Sequence, residues 1–355
     1  MSNDVRIPPA PSTEVAPPSE TRPPSVSSAL AGLLMPILAL GAGAALIGAG
    51  FWAWSRWVEP EIIETTTAAF TDPIQRIEVT SDSGSIEVAA GGEDVRLERI
   101  SRFRANRPSV TEEVVDGVLH IEVQCPSELF FSSCRVDYQV TAPASVELIV
   151  DSGSGDLNAR GLIGGVNLAT SSGTIEVEGV AGETSLDTGS GDIRGRDLDV
   201  PTLTATTSSG SIQIEGDAGE ASLETGSGDI QALDLTASSL TAIASSGTIE
   251  VEGVAGETYL ETGSGDINSE SLSTTALTAS TSSGSVNLAL LDAPTRVEVS
   301  IGSGDARLVV PEGTYAIDLE SSSGDEEVVG LTHDPAAESS IVVHTSSGSI
   351  TVAAG

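Results

Sequence analysis

Between residues 151 and 290, apolar and polar positions alternate in short runs that restart at a near-constant interval. In TIEVEGV, Ile175 and Val177 share one side; Leu186 follows in SLDT, and the next unit offers Ile193, Leu198, Leu203 and Ala205. Successive side chains of a strand leave opposite faces, so this period-two pattern predicts half-buried strands. The runs are punctuated by Ser-Gly, then Asp, Thr or Ser, then usually an aliphatic residue. The glycines stand at Gly155, Gly173, Gly191, Gly210, Gly228, Gly247, Gly265, Gly284, Gly304, Gly324 and Gly348. Their successive gaps are 18, 18, 19, 18, 19, 18, 19, 20, 20 and 24. The stretch Ser171–Ile193, SSGTIEVEGVAGETSLDTGSGDI, returns almost letter for letter at Ser245–Ile267, 74 residues later.

A fixed period near 20 residues is the mark of a stacked repeat. With strand alternation and glycine-rich corners it predicts an all-β fold, a parallel β-helix of about 18–20 residues per coil. Crossovers between parallel strands are overwhelmingly right-handed, so a right-handed coil is expected. Eleven coils at the ~4.8 Å strand spacing would give a rod roughly 50 Å long. An aliphatic column would run through Leu157, Ile175, Ile193, Ile212, Ile230, Ile249, Ile267 and Val286. Each corner glycine would supply a backbone conformation with positive φ.

Upstream the pattern changes. Residues 72–150 hold shorter alternating segments at irregular spacing, with turns such as SDSGS and AGGED, and read as an N-terminal β cap on the repeat region, 151–355. Ser83-Gly84-Ser85-Ile86 is an early echo of the corner. Leu30 to Trp54 is 25 residues without a charge, ending in Phe51, Trp52 and Trp54 with Trp57 beyond. That exceeds a hydrocarbon core at 1.5 Å per residue and carries an interfacial aromatic belt, so one transmembrane helix is assigned to 29–54. Residues 1–28 are a Pro-rich tail without the apolar content to fold, and 55–71 are a juxtamembrane linker.

Arg22 and Arg56 flank the span equally and leave its orientation open. The chain's two cysteines, Cys125 and Cys134, bracket the short loop CPSELFFSSC. A disulfide there suits an oxidising compartment; a zinc pair would have only His120 nearby as a further ligand. The disulfide reading puts the N-terminus in the cytoplasm and the C-terminal region outside, in a single-pass cell-membrane protein.

Charge narrows the partners. The chain carries 52 acidic against 15 basic residues, all Arg, for a net −37. Such a field repels phosphate backbones, so nucleic acid is not an expected partner. The lipid bilayer is one, through residues 29–54. Arg96, Arg99, Arg102, Arg104 and Arg107 form a basic patch in the cap, open either to an anionic envelope surface or to pairing with the acidic repeats.

The residue after each Ser-Gly alternates between carboxylate and hydroxyl over most of the repeat, from Asp156 and Thr174 to Asp266 and Ser285. Stacked in register, like charges would sit about 9.6 Å apart, and the intervening hydroxyls could donate to them. The competing reading is calcium, with Asp156, Asp192, Asp229, Asp266, Asp305 and Asp325 as ligands. Gly-Ser-Gly-Asp matches half of the calcium-roll nonapeptide, but its repeat is near 18 instead of nine. No other cofactor is expected.

The segment CRVDYQVTAPASVELIVDSGSGDLNARGL, the GSGDI and SSGTI units after it, and VVPEGTYAIDLESSSGD at Val309–Asp325 resemble a bacterial β-strand-repeat family labelled "putative adhesin", in particular its membrane-anchored actinobacterial members. The similarity covers about residues 72–353. It implies no catalytic residues and no established ligand.

The expected function is therefore non-enzymatic: a membrane-anchored extracytoplasmic β-helix with a binding, adhesin-like or envelope-sensing role. The alternatives are a calcium-binding solenoid and a polysaccharide-acting enzyme. The last would need carboxylates beside basic and aromatic groups, and the regular coils offer only Arg160, Arg194, Arg196 and Tyr259. Two smaller expectations concern the C-terminus. The final strand SITVAAG would leave an open coil edge suited to self-association, and His333, in the inserted loop Gly330–Ser339, would sit in a solvated turn.

Overall fold

The computed structural model describes residues 60–104, 106–126 and 134–355. The Pro-rich tail and the segment 29–54 lie outside them. Among the described residues every regular element is a strand, and no helix is long and apolar enough to cross a membrane.

The chain begins with β1 (Ile62–Phe70), β2 (Arg76–Ser81), β3 (Ile86–Ala90), β4 (Val95–Phe103), β5 (Ser109–Val115), β6 (Val118–Gln124), β7 (Cys134–Ala142), β8 (Glu147–Ser152) and β9 (Leu157–Arg160). Within the stretch read as linker, Ile62–Phe70 is therefore strand. Next come β10 (Val166–Ser172), β11 (Ile175–Glu178) and β12 (Thr184–Ser190). Five long bent strands follow: β13 (Ile193–Ser209), β14 (Ile212–Ser227), β15 (Ile230–Ser246), β16 (Ile249–Ser264) and β17 (Ile267–Ser283). The chain closes with β18 (Val286–Leu290), β19 (Arg296–Ser303), β20 (Ala306–Val310), β21 (Thr314–Ser321), β22 (Glu326–Val329), β23 (Thr332–His333), β24 (Ser340–Ser347) and β25 (Ile350–Ala354).

Through the regular coils, pairing is parallel and shifted by one coil. Ile175 lies opposite Leu157 and Ile193, and Ile212 lies opposite Ile193 and Ile230. The expected aliphatic column is thus formed, and each member is at most 2% exposed. Each coil has three sides. In β13 the inward residues are Ile193, then Leu198 and Val200, then Leu203, Ala205 and Thr207. The chain bends near Asp197, whose φ is 51°, again at Pro201–Thr202, and at the Ser-Gly corner.

That corner admits glycine alone. At Gly228 φ is +147°, and a Cβ would lie 2.0 Å from the carbonyl oxygen of Gly210 in the coil beneath. Inside the corner, Thr225 Oγ1 donates to the same Gly210 oxygen at 2.9 Å. Thr188, Thr207, Thr262 and Thr281 repeat that contact in other coils, with Ala244 in the place between Thr225 and Thr262. These buried threonines each stand three residues before the corner glycine of their own coil, a column the sequence displays but its apolar pattern hides.

At both ends the spatial order of coils departs from chain order. The coil of β2 and β3 sits between that of β6 and β7 and that of β8 and β9. The antiparallel strands β5, on β6, and β4 with β1, on β7, close this end. The cap thus contributes two full coils to the stack. At the other end the last coil, β24 and β25, is wedged between β19 and β20 on one side and β21 and β22 on the other.

The expectation of an open C-terminal strand is therefore corrected. Ile350–Ala354 is paired on both sides, and the terminal edge belongs to β21 and β22. On one side of the rod the rows run β7, β3, β9, β11, β13 to β17, β18, β20, β25, β22, which makes thirteen rungs instead of eleven. At ~4.8 Å per rung the stack is roughly 58 Å long.

The two largest fully buried side chains, Tyr138 on β7 and Tyr315 on β21, lie in the outermost coils. Bulky rings fill the ends where no further coil supplies packing, while Ala and Thr suffice between. Tyr315 donates its hydroxyl to the Pro311 carbonyl at 2.9 Å. Tyr138 donates to Glu112 Oε1 at 3.2 Å; burial, then the Glu112 charge, holds its hydroxyl far above the usual tyrosine range.

Candidate functional site

The ridge of Ser-Gly corners is the most regular surface on the molecule. Each Asp on it except the terminal Asp325 uses one carboxylate oxygen to accept the backbone N–H of the hydroxyl residue in the adjacent coil. Thr174 N–H reaches Asp156 Oδ1 at 3.0 Å, and Ser211 N–H reaches Asp192 Oδ1 at 3.0 Å. Thr248 to Asp229 is 2.9 Å, and Ser285 to Asp266 is 2.8 Å. The donor is the main chain, not the hydroxyl that sequence reasoning expected. Where a hydroxyl takes part it accepts: Asp229 N–H donates to Ser211 Oγ at 3.3 Å. Corner N–H groups that point away from the strand ladder thus find partners along the ridge.

The swapped coils complete the alternation. In chain order Asp305 is followed by Asp325, which would stack two carboxylates. In space the last coil intervenes, and Ser349 N–H donates to Asp305 Oδ1 at 2.8 Å. On its far side Asp325 N–H donates to Ser349 Oγ at 3.4 Å. At the other end Ser85 N–H donates to Asp137 Oδ1 at 2.9 Å. The ridge therefore reads Asp137, Ser85, Asp156, Thr174, Asp192, Ser211, Asp229, Thr248, Asp266, Ser285, Asp305, Ser349, Asp325, an unbroken alternation over thirteen rungs. The echo at Ser83–Ile86 is thus a rung of the ridge, whereas Asp137 was missed because Arg135-Val136 and not Ser-Gly precedes it.

Carboxylates two rungs apart are separated by about 9.6 Å. A calcium ion binds oxygens at 2.3–2.6 Å, so neighbouring ridge aspartates cannot share one. Among the described residues no group of three or more His, Cys, Asp or Glu is placed to hold a metal ion. The donor set does not fit the calcium reading.

Beside the ridge runs an outward column of long polar side chains, linked in part along the rod. Asn158 Nδ2 donates to Glu176 Oε2 at 3.1 Å, Gln231 Nε2 to Glu250 Oε2 at 3.2 Å, and Asn287 Nδ2 to Asn268 Oδ1 at 3.2 Å. Arg194 pairs with Asp192 at 2.6 Å. Of the arginines that the enzyme reading would need, Arg194 and Arg196 share β13, and Arg160 and Arg196 lie on the rungs either side of Glu178.

In the cap the basic patch is largely paired, and with cap carboxylates instead of the repeats. Arg99 binds Glu112 at 2.7 Å, Arg102 binds Asp137, and Arg107 binds Glu64. Arg135 adds a second partner to Asp137 at 2.7 Å. Burial alone would push the Asp137 carboxyl up. Hydrogen bonds from Arg135 and the Ser85 N–H, with the charges of Arg135 and Arg102, more than reverse this and hold it below the usual carboxylate range.

Two shallow grooves lie here. One of about 450 Å³ is floored by Thr67, Ala69 and Thr141 beside Arg96 and Glu98. The other, of about 440 Å³, holds Glu78, Glu113, His120 and Glu122, with His120 Nδ1 3.1 Å from Glu78. Cys125 and Cys134 are joined as a disulfide across the end of the cap. His333 has a defined role that its turn-like sequence did not suggest: its Nδ1 accepts the Ile317 N–H of edge strand β21 at 3.1 Å.

The model of the family described as "Putative auto-transporter adhesin, head GIN domain" matches residues 82–259, half of the chain. The chain belongs to this family. A second model, the Toastrack family of unknown function, matches residues 200–353, so together the two span residues 82–353.

Among solved structures, the chain resembles a "putative adhesin" from Bacteroides fragilis at 17% identity and TM-score 0.35, over 70% of this chain and 96% of that one. It also resembles a "putative lipid binding protein" from Parabacteroides distasonis at 17% identity and TM-score 0.40, over 66% and 96%. A "putative adhesin" from the same species aligns at 15% identity and TM-score 0.31, over 83% and 97%. No curated protein matches the chain.

Proposed function

We propose that this GIN-family protein is a non-enzymatic, membrane-tethered rod of right-handed coils that binds an extended component of the cell envelope. One observation carries the reading: a thirteen-rung ridge presents the same carboxylate–hydroxyl pair again and again along a straight line. A surface that repeats suits a ligand that repeats, because many weak contacts in register add through effective concentration. The net charge of −37 favours neutral or cationic polymers over anionic ones. Adhesion is the role named in the family description, and the reading extends it to this chain. The Cys125–Cys134 disulfide supports an oxidising, extracytoplasmic setting for the rod, with residues 29–54 as the anchor and the N-terminus cytoplasmic.

The test is a binding screen of the 60–355 unit against neutral, cationic and anionic glycans and purified wall polymers, with and without calcium. Salt-sensitive retention on a polymer, abolished when three successive ridge aspartates are changed to Ala, is expected. Retention unaffected by those changes would move the site off the ridge. Cleavage of a polysaccharide by the unit would replace the reading with the enzymatic one.

A further inference from the structure

The unpaired strand edges of the rod are not alike. At the C-terminal end β22 is four residues long and carries Glu326 and Glu327, while His333 covers part of β21. At the other end β5 is seven residues long and carries the exposed charge of Glu113. Short length and edge charge are the usual guards against unwanted strand pairing. β1 has neither. It runs nine residues, IIETTTAAF, without proline and with one charge, Glu64, which Arg107 pairs. Ile62 and Ile63 are 44% and 60% exposed. Among the described residues β1 pairs only with β4, which leaves its outer edge open.

We propose that this edge pairs with β1 of a second copy, antiparallel, about a two-fold axis through Thr66. The strand is self-complementary in that register. Ile62 would face Phe70, Ile63 Ala69, Glu64 Ala68, and Thr65 Thr67, so no like charges oppose each other. A register centred on Glu64 would place two carboxylates face to face, which sets the first one apart. The sheet of β1, β4, β7 and β3 would then continue across the axis into the partner, with an isologous interface as two-fold symmetry requires.

The upstream chain is a poorer occupant. Folding back along β1 as a hairpin would draw on residues 51–54, which belong to the proposed span; that exclusion rests on the membrane reading, and the crosslinks below do not. Tethering two copies to one membrane raises their effective concentration, so a modest strand–strand interface suffices.

The experiment uses the full chain in native membranes. Cys125 and Cys134 are bonded to each other, so Thr66→Cys adds the one free thiol. Directly opposed residues of an antiparallel pair have Cα atoms about 4.5–5.5 Å apart, within disulfide reach. Oxidation is expected to convert T66C to a covalent dimer several-fold more efficiently than Thr204→Cys, an exposed control on a coil face. Ile63→Cys and Ala69→Cys should each crosslink poorly alone and efficiently when the two are expressed together. Equal crosslinking of T66C and T204C would overturn the proposal. So would self-crosslinking of I63C as strong as that of the mixture, which would indicate parallel pairing. Retention of the strand circular-dichroism signal in each variant shows that the rod is folded.

Discussion

Replacing Gly228 by alanine tests the corner stack most directly. The new Cβ would lie 2.0 Å from the Gly210 oxygen and 2.5 Å from its carbonyl carbon, on a backbone with φ of +147°. A carbon–oxygen contact needs about 3.3 Å, so the two coils must separate locally by roughly 1 Å or more. The bonds Gly210 N–H to Ser227 O and Ile212 N–H to Asp229 O, both 2.9 Å, flank the contact and would be broken by that shift. Two lost bonds cost about 1 kcal/mol each, and a non-glycine residue at such a φ costs about 1–3 kcal/mol more. The expected loss is about 3–5 kcal/mol, a large share of the ~5–15 kcal/mol typical of a folded unit.

Gly165→Ala is the control. There the Cβ meets nothing closer than 3.7 Å, and the backbone is not in the left-handed region, so that change should be neutral or stabilise by up to about 1 kcal/mol. The assay is urea unfolding of the 60–355 unit followed by circular dichroism. Because coils couple only to their neighbours, G228A should lower the midpoint and split the transition as the two halves uncouple. An unfolding curve for G228A superimposable on that of G165A would refute the stacked-corner argument.

Five further substitutions have expected outcomes. Thr225→Val keeps the buried shape but removes the donor to the Gly210 carbonyl, and should cost about 1–2 kcal/mol; Ala244→Thr should give a gain of about 1 kcal/mol in the same denaturation assay, because Ala244 stands in the threonine column in the coil above the Gly228 carbonyl. Thr248→Asp would set carboxylates at ~4.8 Å on both sides, each pair repelling by about 0.9 kcal/mol in a water-like dielectric, so the melting temperature should fall at low salt and recover at high salt, whereas Asp229→Asn, which keeps the acceptor for Thr248, should not destabilise. The Asp137 carboxyl is held below its ordinary value. Its contribution is therefore complete above the unfolded-state value near 3.8 and lost as pH falls through the lower folded value; Asp137→Asn should flatten the dependence of the unfolding midpoint on pH below about 4, and an unchanged slope would remove Asp137 from the acid response.

The repeat, its period, the inward aliphatic column and the glycine corners were all legible in the chain. The reason is that parallel stacking couples each residue to one 18 or 19 positions away, so the register is written as a period. The alternation of Asp with Thr or Ser was legible for the same reason. The identity of its donors was not, because strand direction and peptide orientation decide whether a hydroxyl or an N–H faces the carboxylate. Single side-chain roles were likewise hidden: His333 looks like a turn residue, and only the return of its loop past β21 gives it a backbone donor to accept.

The order of coils at the two ends belongs to the tertiary structure alone. All coils offer nearly the same backbone edge and the same inward pattern, so local sequence does not say which coil a terminal strand joins. What separates the alternatives is non-local: burying Tyr138 and Tyr315 in the outermost coils, and keeping carboxylates from stacking directly. The consecutive Asp305 and Asp325 were the visible trace of that constraint, since a chain-order stack would have placed their charges on adjacent rungs. Inserting the final coil between them relieves the repulsion and leaves the chain's last strand bonded on both sides.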